Sequence, residues 1–145
     1  MKNDEKTRRL LLLTDDNFIA EALGTYMHRD NIQVDRVTAI GDVVQAIAGG
    51  ADGVVIDIAK RDITGDVIMD LTGRAQRWEI PVFIMTAQPR RDLSDFAAVV
   101  RATDIVSKTE SMTAIAARVR LCMRTPMKAD PKKVVPREQL SWALA

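Results

Sequence analysis

The sequence predicts an α/β fold, a five-stranded parallel sheet with helices on both faces. Three observations carry that expectation. Short apolar runs, Leu10–Leu13, Val54–Ile56, Val82–Met85 and Ile105–Val106, are separated by stretches of helical periodicity, the alternation of strand–helix–strand units. The runs are leucine-rich or β-branched and scarcely alternate with polar residues, as strands covered on both faces do. Each run also ends in polar residues: Leu13 leads through Thr14 into Asp15 and Asp16, Ile56 into Asp57, Met85 into Thr86, and Val106 through Ser107 into Lys108. In such a sheet ligands sit outside the carboxyl ends of the strands. One rim therefore gathers three carboxylates, a hydroxyl and an ammonium.

The first strand is predicted over residues 9–14. Asp15 or Asp16 suits the cap of the next helix, where Ile19, Ala22, Leu23, Tyr26 and Met27 form one apolar stripe that ends at Asn31. His28, the single histidine, reads as a helix C-terminal residue rather than a ligand. The second strand, residues 32–37, is more polar and alternating, which suits a sheet edge. A helix over 40–48 turns Val43, Val44 and Ile47 inward and stops at Gly49–Gly50. The third strand, residues 53–58, is nearly all apolar. A polar loop over 59–64 leads to Gly65 and a helix over 66–77. Pro81 opens the strand over 82–85; residues 88–91 read as loop, and a short helix is predicted over 93–100. The last strand spans 104–107. The helix over 111–124 then aligns Met112, Ile115, Ala116, Val119, Cys122 and Met123 on one face, where Cys122 is a packing residue.

The 145 residues, 47% hydrophobic and 28% charged, suit one globular domain over residues 1–124. Residues 125–136, with prolines and lysines, read as a linker, and residues 137–145 as a short helix carrying Leu140, Trp142 and Leu144. A net charge of +1 offers no bulk attraction to nucleic acid or membrane. The charged N-terminus lacks the apolar segment of a signal peptide, and no run is long enough to span a bilayer. One cysteine excludes an internal disulfide and fits a reducing compartment. The expectation is a cytoplasmic protein.

The rim residues suit a divalent cation and a phosphoryl group. Magnesium takes hard oxygen ligands, and one or two carboxylates plus a phosphate suffice. Asp15, Asp16 and Asp57, on adjacent strand ends, repel one another, and a cation relieves that repulsion. Phosphoryl transfer needs chiefly positioning and charge neutralisation. Asp57 would be the nucleophile, giving an acyl phosphate; Lys108 would supply a positive charge and Thr86 a hydroxyl donor. Any one of these residues alone reads more readily as a cap or turn former than as a ligand. The combination carries the signal.

The motifs LLLTDD, VVID with Gly65 eight residues on, IMTA and VSK resemble those of the receiver domains of two-component response regulators, over residues 8–124. The resemblance implies a flavodoxin-like (CheY-like) fold with strand order 2-1-3-4-5. It implies Asp57 as phosphoacceptor and Asp15 and Asp16 as the acidic pair, with Asp16 the more direct magnesium ligand and the Ala59 carbonyl a further one. Thr86 and Lys108 would sense the phosphoryl group. The chain departs from the family where an aromatic residue usually stands three before the lysine, here Ile105, leaving Thr86 and Ile105 as the switch pair. Thr109 replaces the proline after the lysine, Arg61 a loop proline, and Arg101 a glycine before the last strand.

The last helix, AARVRLCMRT, is similar to that of receivers in winged-helix regulators, where charged residues pair across a dimer; Asp104, Arg118 and Arg120 are the corresponding interface candidates. The tail, VVPREQLSWALA, resembles the opening of a LuxR-type helix-turn-helix domain, but no recognition helix follows, so direct nucleic-acid binding by this chain is not expected. Leu140, Trp142 and Leu144 would instead pack on the receiver or bridge to a second copy as a homodimer. Two functions are weighed. One is a single-domain phosphoryl-accepting switch, not an enzyme, loaded by a histidine kinase or phosphotransfer protein and acting by protein contact or phosphorelay. The other is an interaction module working without phosphorylation. The chain also reads as a receiver piece of a longer regulator whose DNA-binding output is missing. A nucleotide binder is disfavoured, because no glycine-rich loop follows the first strand.

Overall fold

The computed structural model describes residues 7–87 and 102–124. The helix expected over 93–100, Arg101, the linker and the tail with Leu140, Trp142 and Leu144 lie outside the described residues. The elements are β1 (Arg8–Leu13), α1 (Asn17–His28), β2 (Ile32–Val37), α2 (Ile40–Ala48), β3 (Gly53–Asp57), α3 (Gly65–Arg77), β4 (Val82–Thr86), β5 (Asp104–Ser107) and α4 (Met112–Arg124). All strand pairs are parallel, in the order β2-β1-β3-β4-β5. The half-polar β2 is an edge, as its alternation predicts, and the apolar β3 is central.

Side chains of a strand alternate between faces, so each strand feeds two cores. Leu11, Leu13, Val54, Ile56, Val82, Ile84 and Ile105 meet Val43 and Ile47 of α2 and Ile68, Leu71 and Ala75 of α3. Leu10, Leu12, Val55, Phe83, Met85 and Val106 meet Ile19, Leu23 and Met27 of α1 and the stripe Ile115, Ala116, Val119, Cys122 and Met123 of α4. Gly53 is small because a Cβ there would stand 3.1 Å from Leu10 Cδ1 and 3.4 Å from Met123 Cγ. The turns use two left-handed residues where the sequence predicts helix stops, Asn31 at φ 59° and Gly50 at φ 94°.

The carboxyl ends of three strands differ from expectation by one residue, each for a local reason. β1 ends at Leu13, because the Thr14 hydroxyl takes the Asp16 N–H and turns the chain. β3 ends at Asp57, whose carboxylate accepts the Ala59 N–H in a turn of the same kind. β4 runs on to Thr86, which pairs with Ser107 of β5.

Candidate functional site

The strand register sets the site. Leu13 of β1 lies opposite Ile56 of β3, so the next residues along, Thr14 and Asp57, emerge side by side on the α1–α4 face. Lys108 follows Val106 by two and shares that face, because Met85 pairs with Val106 and Asp57 with Met85. The three side chains converge. Lys108 Nζ stands 2.8 Å from Asp57 Oδ2, and Thr14 Oγ1 2.6 Å from the same oxygen. Ala59 N–H donates to Asp57 Oδ1 at 3.1 Å. Asp57 is only 2% exposed and Thr14 is fully buried. A carboxylate this deep requires paired charge and hydrogen bonds, and it has both.

Asp15, Asp16, Asp57 and Ala59 line an open cleft of about 400 Å³ at this rim, together with Lys60, Arg61 and Lys108. Asp16 also caps α1, its Oδ1 accepting the Ile19 N–H at 3.1 Å. Asp15 is exposed, and Lys60 Nζ approaches its Oδ2 at 3.8 Å. Lys60 is itself almost buried and also donates to Asp62, a bond that holds the Asp62 carboxyl below its ordinary range. Sequence reasoning places Lys60 in an undifferentiated polar loop, yet it is a second ammonium at the site. Three carboxylates thus face three cations around the cleft. Lys60 and Lys108 each approach one carboxylate of the acidic trio, Asp15 and Asp57.

Thr86 is buried at the end of β4, with the face parity of Val82 and Ile84, and does not line the cleft. Its carbonyl accepts the Lys108 N–H, which fixes the backbone that carries the lysine. Ile105 is buried in the α2–α3 core, two residues before Ser107. Thr109 makes a tight hydroxyl turn: Ser107 Oγ and Thr109 Oγ1 are 2.7 Å apart, and Thr109 N–H donates back to Ser107 Oγ. Glu110 accepts the Ser107 N–H at 3.1 Å and closes the turn. No peptide bond among the described residues is cis.

Among the described residues no group of three His, Cys, Asp or Glu side chains converges as a metal centre by itself. The acidic groups on the cleft are nevertheless all hard oxygen donors. Asp57 Oδ2 is filled by two donors, whereas Oδ1 accepts only from Ala59 among the described residues. One of its acceptor positions is left. That set fits a small divalent cation held by one or two carboxylates and its own waters.

The residues expected at a dimer face are paired within the chain. Arg118 makes a two-pronged contact with Asp104, at 2.8 and 2.6 Å, and Arg120 Nε lies 3.3 Å from Asp30. His28 is exposed at the last position of α1, as a helix-terminal residue. No described helix is long and apolar enough to cross a membrane.

Neither a family profile nor any curated protein matches this sequence. Solved structures do. A response regulator from Thermotoga maritima superposes with a TM-score of 0.69 at 14% identity, over 83% of this chain and 100% of that one. The chemotaxis response regulator CheY4 of Vibrio cholerae gives 0.68 at 12% identity, over 81% of this chain and 99% of that one. The BeF3-activated DrrB receiver domain gives 0.67 at 16% identity, over 83% and 100%. With its five parallel strands in the order 2-1-3-4-5, this chain has the CheY-like fold of response-regulator receiver domains.

Proposed function

We propose that the chain is a phosphoryl-accepting receiver in which Asp57 is the acceptor. The observation that carries this reading is a buried carboxylate at a central strand end, neutralised by Lys108 at 2.8 Å and opening on a cleft lined by Asp15 and Asp16. A histidine kinase or phosphotransfer protein would be the donor. The output would be a protein contact or onward transfer, which makes the chain a switch rather than an enzyme. Oδ1 is the nucleophilic oxygen, since Oδ2 already holds two donors. Lys108 then meets the phosphoryl oxygens with its charge, and Thr86 and Ile105 respond from β4 and β5. Asp16, Asp57 and the Ala59 carbonyl, with Asp15 beside them, would hold a magnesium ion. When bound, it would neutralise charge on the transferring group.

A second reading is favoured by one feature. Lys60 and Lys108 already approach Asp15 and Asp57, which would let the rim persist without metal or phosphate, as an interaction module would need. The dimer expectation requires Asp104, Arg118 and Arg120 to exchange their present partners for those of a second copy. Incubation with acetyl phosphate and magnesium, followed by intact mass, separates the two readings. The receiver gains one phosphoryl group and Asp57→Asn gains none. Wild type that gains none from any donor favours the interaction module.

A further inference from the structure

Thr14 is not among the residues expected to do chemistry here, yet it is held on every side at the site. Its side chain is fully buried. Its N–H donates to Val37 and its carbonyl accepts from Arg36 Nε at 3.2 Å, so β2 holds its backbone on both sides. Its Oγ1 accepts the Asp16 N–H at 3.0 Å. An ionised carboxylate only accepts hydrogen bonds, so in the 2.6 Å contact with Asp57 Oδ2 the proton is the Thr14 hydroxyl's. The hydroxyl is therefore aimed: the Asp16 amide occupies its oxygen and the proton points at the carboxylate.

We propose that Thr14 is a positioning residue that shortens the lifetime of the acyl phosphate on Asp57, an inference that rests on Asp57 being the acceptor. Held by Thr14 and Lys108 at Oδ2, the carboxylate presents Oδ1 to the cleft. Once Oδ1 carries the phosphoryl group, Oδ2 is a neutral carbonyl oxygen and a weaker acceptor. In hydrolysis the water oxygen bonds to phosphorus and the phosphorus–Oδ1 bond breaks. Its electron pair returns to the carboxylate, and the proton of the water leaves with the phosphate or to solvent. Negative charge grows on the carboxylate as the loose transition state forms, and the Thr14 hydrogen bond strengthens with it. Thr14 thus favours the leaving carboxylate over the bound acyl phosphate.

Hydrogen bonds to charged groups exceed neutral ones by about one kcal/mol, which corresponds to a roughly five- to tenfold change in rate. The test loads wild type, Thr14→Val, Thr14→Ala and Thr14→Ser with acetyl phosphate and magnesium, removes the donor and follows intact mass with time. Thr14→Val keeps the shape and loses the hydroxyl, and its phosphoryl group should persist roughly five- to tenfold longer. Thr14→Ser should decay at the wild-type rate. Thr14→Ala should match Thr14→Val and substitutes for it if the valine variant does not fold. Wild-type decay in both hydroxyl-free variants overturns the inference and leaves Asp57 as acceptor intact. Altered decay in Thr14→Ser equal to that of Thr14→Val means packing alone is at work, and also overturns it. A wild type that takes up no phosphoryl group removes the acceptor reading and this inference with it.

Discussion

The two rims of the sheet each carry a cavity of similar size, and they are built for different ends. At the amino ends of the strands, an open cavity of about 330 Å³ is lined by Arg8, Asp52, Trp78, Glu79, Pro81 and Met123 among others. Two of the charged side chains there close the backbone: Arg8 donates to the Met123 carbonyl and Asp52 accepts the Arg9 N–H, while the Asp52 N–H returns to the Arg9 carbonyl. At the carboxyl ends, side chains from the turns after β1 and β5 converge on the carboxylate that ends β3. Volume does not distinguish the rims. Convergence of charge on a single buried atom does, and it marks the rim where chemistry is expected.

Removing a charge should expose the difference most. Lys108→Met leaves Asp57 buried without its cation, and we expect a loss of about 3 kcal/mol in urea unfolding together with little or no phosphoryl uptake. At the opposite rim Trp78, 61% exposed, makes only partial contact. Trp78→Ala should cost about 1–2 kcal/mol and leave phosphoryl uptake at the wild-type level. Equal effects of the two substitutions on uptake would erase the distinction between the rims. Away from both, Arg118→Ala breaks the Asp104 pair and should cost about 1 kcal/mol. A shift of mass in light scattering on that substitution would instead reveal the dimer.

Cys122 gives the smallest effect. Burial first, and the charge of Asp104 second, push its thiol up to about 12 from 9.0. The folded state therefore favours the neutral thiol. That preference adds stability fully below pH about 9, and the contribution is lost as pH rises through about 12. At pH 8 a thiol alkylating reagent should label the folded protein far more slowly than the unfolded one.

How much of this is legible in the sequence follows from where the pattern has a period. β2, α2 and β5 fall on the residues predicted, because β2 alternates, α2 has its apolar stripe, and Gly49–Gly50 stops it. Asp16, Asp57, Ala59 and Lys108 reach the same cleft, because strand ends on one rim follow from the parallel order. The Thr14 hydroxyl was not legible. Four consecutive leucines show no alternation, so the face of Thr14 depends on the pairing of Leu13 with Ile56, a contact across the fold. Lys60 escaped for a related reason: a polar loop has no period, and its side chain turns inward only because Asp15 and Asp62 stand there to receive it.

The carboxyl rim, and not the amino rim, is the one expected to take the phosphoryl group. Titration with beryllofluoride and magnesium, a phosphoryl mimic, tests it by mapping amide shifts in two-dimensional NMR. The shifts should concentrate at Thr14–Asp16, Asp57–Arg61, Thr86 and Ser107–Thr109, with Asp52, Trp78–Pro81 and Met123 undisturbed, and none at all in Asp57→Asn. Shifts centred on the amino rim, or a full response surviving in Asp57→Asn, would contradict it.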